Sequence, residues 1–200
     1  MDRLAALALA LGLLLPAPAL ADEGSGADVT FRRAHEELVA LIDQHASDAR
    51  VQARADALLD HHAIAVAALG GASRYAERCA ELCDEYEALL SRLIRHNVLA
   101  RLRAKDRGRM ELLGQTVRES ATKVDTKVSF VDDQGKARSV KVSYVMHRVD
   151  ESWRVRDIHT DGVSLVGNYR HELRKLHRDG GIELVVERLR SKVAELDAAP

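Results

Sequence analysis

The sequence has little net charge, few aromatic residues and no familiar catalytic motif. Its formal net charge is −1, and its 200 residues include one Trp, four Tyr and two Phe. A charge this small gives no indication of a nucleic-acid partner. Because the Gly-x-Ser-x-Gly, P-loop and Rossmann patterns are absent, we expect the chain itself to use no ATP. The nine histidines show no zinc-like spacing, so neither a metal nor any other cofactor is predicted.

Long apolar runs are missing except at the start of the chain. Leu4 to Leu15 is uninterrupted and apolar, but a membrane-spanning helix needs about 20 such residues. Pro16 and Pro18 end the run, and Ala19-Leu20-Ala21 fits the small-x-small rule for signal cleavage. Residues 1–21 are therefore expected to be a signal peptide. The rest, 22–200, is expected to be soluble in the periplasm.

Cysteine is also scarce, with Cys79 and Cys83 the two in the chain. They are four residues apart in a strongly helical stretch, so they would share one helix face. A disulfide within one helix requires awkward geometry, which favours two small apolar core residues. A strained bridge is the alternative in an oxidising compartment.

Charge is distributed unevenly despite the small total. Residues 22–60 carry nine acidic and four basic residues, whereas residues 136–192 carry thirteen basic and eight acidic ones. Ordinary solvated surface residues are one explanation of this unequal distribution. It could also orient the protein on partners or on anionic lipid head groups.

The first half of the chain, 22–105, has a mainly helical pattern. Apolar residues at helical spacing predict helices over Val29–His45, over a segment capped by Asp48, and over His61–Leu69. A long fourth helix is predicted from a cap at Ser73 to Arg103, with a break near Asn97 as an alternative.

The period then changes from helix to strand, and residues 109–160 are predicted to form an antiparallel sheet. Apolar and polar residues alternate through Thr122–Val131 and again around Tyr144, and an Asp-Asp-Gln-Gly turn separates them. With Met110–Arg118 and Trp153–Ile158, four strands form a meander with one apolar face. Helices precede and follow it, so the predicted fold class is α+β, a curved antiparallel sheet with helices packed on one side.

Residues 162–196 are predicted to form a tight turn and two helices. Gly162 permits a sharp turn, and Gly180-Gly181 ends the first helix. The second carries an apolar stripe that includes Ile182, Val185 and Leu189.

The last third of the chain resembles the MlaC/toluene-tolerance family of periplasmic phospholipid-binding proteins. The residues that carry this resemblance are Trp153, Val155 and Asp157, then Gly162-Val163-Ser164-Leu165-Val166, Asn168-Tyr169-Arg170, Gly180-Gly181 and Leu189. A weaker match covers His61 to Gly71. The resemblance implies an NTF2/cystatin-like sheet, a helical N-terminal subregion and an acyl-chain pocket between sheet and helices. The pocket walls implied are Val128, Phe130, Val140, Val142, Tyr144, Trp153, Val163, Leu165, Val166 and Tyr169.

The resemblance also implies a function and partners. The chain would be a soluble periplasmic carrier of phospholipid that maintains outer-membrane lipid asymmetry. It would move lipid between an outer-membrane lipoprotein–porin complex and an inner-membrane ABC transporter with a ring-forming substrate-binding subunit. Arg154, Arg156 or Arg170 could bind the lipid phosphate, or could form surface salt bridges.

Three alternatives remain at this point. The cargo could be a hopanoid or another polycyclic lipid. The fold could host an NTF2-like enzyme for a small apolar substrate, with Asp157 and His159 as an acid–base pair. An adaptor with a solid core is the third.

Overall fold

The computed structural model describes residues 26–104 and 108–198. In chain order, helices come first, a sheet follows, and one long interrupted helix ends the chain. The helices are α1 (Ala27–Asp43), α2 (Asp48–Leu58), α3 (His61–Leu69), α4 (Ala72–Cys79), α5 (Cys83–Arg103) and α6 (Leu165–Asp197). The strands are β1 (Arg109–Arg118), β2 (Ala121–Val131), β3 (Ala137–Val149), β4 (Ser152–Thr160) and β5 (Val163–Ser164).

Local sequence explains the first three helices. In α1, Phe31, Ala34, Leu38 and Ile42 recur every three or four residues and are buried. In α3, the side chain of the N-cap residue Asp60 accepts a hydrogen bond from the amide of Ala63 at 2.8 Å. These helices agree with the predicted pattern, with ends that differ by a few residues.

The predicted long fourth helix is wrong, because it is interrupted at Ala80. A short 3-10 turn, Ala80–Leu82, separates α4 from α5, and Ala80 has a positive φ of 42°. The same break corrects the prediction for the cysteines. Cys79 and Cys83 form a disulfide, with Cα atoms 4.8 Å apart. The geometric objection to a bridge within one helix does not apply, because the two cysteines lie in different helices.

The sheet is an antiparallel meander in the order β1-β2-β3-β4-β5. Four strands were predicted, and β5 is an additional two-residue strand that pairs with the end of β4. The predicted alternation sets the register, which pairs Val124 with Tyr144 and Val128 with Val140. Irregularities at Leu113 in β1 and at Arg156 in β4 each add one residue to a strand, which bends and twists the sheet.

The free edge of β4 is covered by chain from the helical half. Leu59 forms an isolated parallel bridge with Val155, and the amide of Asp60 donates to the Val155 carbonyl at 2.8 Å. The carboxylate of Asp60 also bonds His147 Nε2 at 2.8 Å. The α2–α3 junction is thus fixed to the sheet by both backbone and side-chain contacts.

Helix α6 is two arms joined at Gly180 and Gly181, whose backbone angles are not helical. Gly181 has a φ of 68°, which a residue with a Cβ adopts with strain. The second arm buries Ile182, Val185, Val186, Leu189 and Val193, so the predicted stop and second stripe are confirmed.

Buried apolar residues form two clusters. The larger joins α1, α3, α5 and α6 to the sheet residues Val124, Met146 and Val155. The smaller lies among α1, α2 and α5, around Leu38, Val51 and Leu99. The observed fold is the α+β architecture that the sequence predicted.

The expected signal peptide, 1–21, lies outside the residues that the structure describes. Within 26–104 and 108–198, no helix combines the length and apolar character required to cross a membrane.

Candidate functional site

One face of the sheet carries the apolar residues, and helices cover this inner face unevenly. At one end, Val124, Met146 and Val155 have no exposed surface and belong to the larger core. Towards the β2–β3 hairpin, the same face continues with Val128 and Val140, which pair with each other and are half-buried. The sheet therefore extends its apolar face beyond the helices that pack on it.

We define the open stripe as Val128, Phe130, Val140, Val142 and Val163. None of these five residues packs against either core cluster. Val142 pairs with Thr126 and Thr160, and Thr160 pairs with Val163, so the register places Val142 and Val163 on the same face. Val163 is 56% exposed and lies at the β5 edge. Apolar residues on one face that take no part in a core are available to contact a ligand.

The open stripe has a defined border at each end. At the core end, the ring of Phe31 from α1 lies on the ring of Tyr144, with centroids 4.1 Å apart. At the hairpin end, the guanidinium carbon of Arg101 in α5 lies 5.7 Å from the centroid of the Phe130 ring. Arg101 and the aromatic contact of Phe31 were not predicted. Both contacts join residues far apart in sequence, so local periodicity carries no signal for them.

Polar groups on the inner face beside the stripe are neutral or hydrogen-bonded. The hydroxyl of Thr126 donates to the Val142 carbonyl at 2.9 Å, which satisfies a fully buried side chain. Burial raises the pKa of Tyr144 to about 12, so its hydroxyl stays neutral near pH 7. At Thr126 and Tyr144, the face therefore presents no charge that an apolar ligand would have to desolvate.

The other residues predicted as pocket walls lie at the core end of the site. Val166 is buried in the larger core, and Trp153 and Tyr169 pack against it. Leu165 is half-buried in the first turn of α6. Asn97 in α5 donates to the Tyr169 hydroxyl at 3.3 Å, and burial raises the pKa of Tyr169. Of the ten predicted residues, five thus form the open stripe, four (Tyr144, Trp153, Val166 and Tyr169) belong to or pack against the larger core, and Leu165 does neither.

The candidate phosphate partners have different environments. Arg170 donates from Nε to the carbonyl of Ala67 at 2.9 Å and so joins α6 to the end of α3. The Nε of Arg154 is buried without a hydrogen-bond partner among the described residues. Arg156 is the additional residue at the β4 irregularity. Of the three arginines, Arg170 is therefore the one whose guanidinium forms a hydrogen bond that holds two helices together.

Asp157 and His159 lie on the same face of β4, as alternation predicted, and hydrogen-bond at 2.9 Å. Both oxygens of Asp157 have further partners. They accept from the amides of Ile158 and Val166 at 2.8 and 3.1 Å, and from the Ser164 hydroxyl at 2.6 Å. These bonds fix the start of α6 to β4, so Asp157 has the geometry of a structural anchor.

The opposite, outer face of the sheet is polar. Asp125 accepts a hydrogen bond from Ser143 at 2.5 Å and forms ion pairs with Lys123 at 3.2 Å and Lys141 at 3.6 Å.

A depression of about 430 Å³ lies at the hairpin end and is lined largely by outer-face residues: Lys127, Ser129, Phe130, Val131, Ala137, Arg138 and Ser139. It is distinct from the predicted hollow between sheet and helices. Across the part of the chain that the structure describes, no group of three His, Cys, Asp or Glu is placed to hold a metal.

Comparison with known proteins agrees with the observed fold. The family model described as MlaC protein matches residues 32–191. No curated protein matches the chain in sequence. The chain is similar to a solved structure described as the phospholipid-binding protein from Ralstonia solanacearum in complex with a phospholipid. That similarity has a TM-score of 0.70 at 17% identity and covers 86% of this chain and 98% of the other. The family match spans most of the sequence, and the chain therefore belongs to the MlaC family.

Proposed function

We propose that this protein is a periplasmic phospholipid carrier, and that the acyl chains of the bound lipid lie on the open stripe. The observation that carries the proposal is the apolar inner face that continues past its helical cover, from Val124 in the core to Val128 and Val140 outside it. The structurally similar Ralstonia solanacearum protein, described as phospholipid-binding and in complex with a phospholipid, supports the choice of ligand.

The energetics of lipid transfer explain why such a surface is useful. Each buried methylene is worth about 0.8 kcal/mol, and a two-chain phospholipid has on the order of 30 of them. Unprotected transfer through water would therefore cost on the order of 20 kcal/mol. A carrier has to replace most of that apolar environment and still release its cargo. Half-covered aliphatic side chains such as Val128, Val140 and Val142 meet both requirements, because they bind by contact area alone.

The proposal includes a place in a pathway. The carrier moves phospholipid between an outer-membrane lipoprotein–porin complex and an inner-membrane ABC transporter with a ring-forming subunit, and so maintains outer-membrane lipid asymmetry. Its family membership supports this assignment. The acid–base pair of the enzyme alternative is not favoured, because the carboxylate of Asp157 is engaged in anchoring α6.

The test is lipid retention by charge-introducing variants. Val140→Glu and Val163→Glu each place a carboxylate on the open stripe, where burial against acyl chains would be unfavourable. Val131→Glu is the matched control, since Val131 is 59% exposed and lies on the outer face of β2. Each protein is purified from its full chain, checked for folding by circular dichroism, and extracted for lipid mass spectrometry.

We expect phospholipid in the wild type and in Val131→Glu, and a loss of at least about tenfold in both stripe variants. Undiminished lipid in Val140→Glu and Val163→Glu would overturn the site. A polycyclic lipid in the extract would support the hopanoid-type alternative instead. A lipid-free wild type that converts a small apolar substrate would support the enzyme.

A further inference from the structure

The first arm of α6 has a cationic face that the proposed function does not explain. His171, Arg174, Lys175 and Arg178 are all exposed and follow the spacing i, i+3, i+4, i+7 of one helix face. We call these four residues the cationic stripe, in which Arg174, Lys175 and Arg178 carry the formal positive charge. Leu173 is buried on the opposite side of the arm. Glu172 and Asp179, the acidic residues of this arm, lie about 90° to one side.

The stripe is not neutralised within the protein. None of its four residues forms an ion pair or a hydrogen bond with a described residue, as is also true of the exposed residues Arg32, Arg33 and Arg50. Like charges at i, i+4, as for Arg174 and Arg178, destabilise a helix. Arg174, Lys175 and Arg178 thus concentrate positive charge in the last turns of the first arm.

In sequence, the cationic stripe is close to the proposed lipid site. The arm begins at Leu165, directly after Val163 of the open stripe. At about 1.5 Å per residue, His171 is roughly 9 Å and Arg178 roughly 20 Å along the helix from Leu165. The His171 end of the cationic stripe is therefore within about two helical turns of the start of α6, which directly follows the exposed edge of the open stripe.

We propose that the cationic stripe docks the protein on the anionic head groups of a phospholipid bilayer, so that lipid enters or leaves beside Val163. This inference rests on the proposed function. The occupant follows from the composition of the surface. A protein interface usually has a desolvated apolar centre, and the stripe contains no apolar side chain. An anionic head-group layer needs only basic residues held near its surface.

The test measures vesicle binding. The wild type and Arg174→Glu/Lys175→Glu/Arg178→Glu are sedimented with vesicles of phosphatidylcholine alone, and with vesicles of one part phosphatidylglycerol to two parts phosphatidylcholine. The matched control is Arg32→Glu/Arg33→Glu/Arg50→Glu, which makes the same change in net charge at exposed positions of α1 and α2. Lipid carried by each purified protein is measured in parallel by mass spectrometry.

We expect the wild type and the control to bind the anionic vesicles at low salt and the stripe variant to bind at least about tenfold more weakly. The stripe variant should retain its own lipid. Equal binding by wild type and stripe variant, or an equal loss in the control, would overturn the docking surface. A lipid-loaded wild type that ignores anionic vesicles would also overturn it and point to an acidic protein partner, while leaving the carrier intact. A wild type that binds vesicles but never carries lipid would support the stripe and refute the carrier.

Discussion

The carboxylate of Asp157 accepts a 2.6 Å hydrogen bond from the hydroxyl of Ser164, and the same hydroxyl accepts the amide of Gly167 at 2.8 Å. Asp157 is in β4, and Ser164 is the N-cap of α6. Between them, Gly162 turns the chain with a φ of 86°. These contacts give a physical reason for the Asp…Gly-Val-Ser pattern. The strand end, the turn and the helix start form one hydrogen-bonded unit that positions Val163 at the edge of the open stripe.

Asp157→Asn should lower the free energy of unfolding by about 1–3 kcal/mol, because one carboxylate acceptor is replaced by an amide donor beside Ser164 and His159. Urea denaturation followed by circular dichroism measures this change. Asp133→Asn is the control, since Asp133 is exposed in the hairpin turn. It should differ from wild type by no more than about 0.5 kcal/mol. A change in Asp157→Asn as small as that in the control would contradict the anchoring role.

Arg170→Met should lower stability without removing bound lipid. The lost hydrogen bond from Arg170 to the Ala67 carbonyl involves a charged donor and is worth about 1.5–3 kcal/mol. Arg188→Met, at an exposed position of the second arm, is the control. Denaturation and lipid mass spectrometry are both measured. If Arg170→Met stays as stable as wild type and loses its phospholipid, the arginine binds the phosphate and the structural role assigned here is wrong.

Reduction of the Cys79–Cys83 disulfide should destabilise the protein by about 2 kcal/mol, the chain-entropy value for a loop of four residues. Urea denaturation with and without a thiol reductant measures the difference. Cys79→Ala/Cys83→Ala serves as the control and should not respond to reductant. The prediction fails if reductant changes the wild type and the double variant equally.

The outer-face carboxylate of Asp125 should make stability pH-dependent in acid. Burial opposes its ionisation, but the hydrogen bonds from Ser143 and Lys123 outweigh that effect and hold the pKa of Asp125 below 3.8. A carboxylate whose pKa is lowered by folding stabilises the fold at pH values above its pKa in the unfolded state. That stabilisation is lost as the pH falls through its pKa in the folded state. Asp125→Asn should therefore be less stable than wild type at pH 7, and the difference should shrink below about pH 4. A difference that is constant with pH would show that ionisation of Asp125 contributes nothing.

Local sequence was sufficient where the structure depends on local periodicity. Alternation through Val124, Val128 and Phe130 assigned the inner face, and Gly180-Gly181 marked the break in α6. The break at Ala80 had no such signal, because alanine is the best helix former. It is accompanied by burial of Cys79 in the core and by its bond to Cys83, both of which are tertiary contacts.

The sequence by itself determined which residues share a face of the sheet, because side chains alternate along a strand whatever surrounds it. Only the tertiary structure decided how far that face is covered. Met146 is buried and Val140 is partly open because α1, α3, α5 and α6 pack over one end of the sheet. The reach of those helices depends on contacts between distant segments, such as Phe31 with Tyr144 and Arg101 with Phe130, which no local pattern encodes.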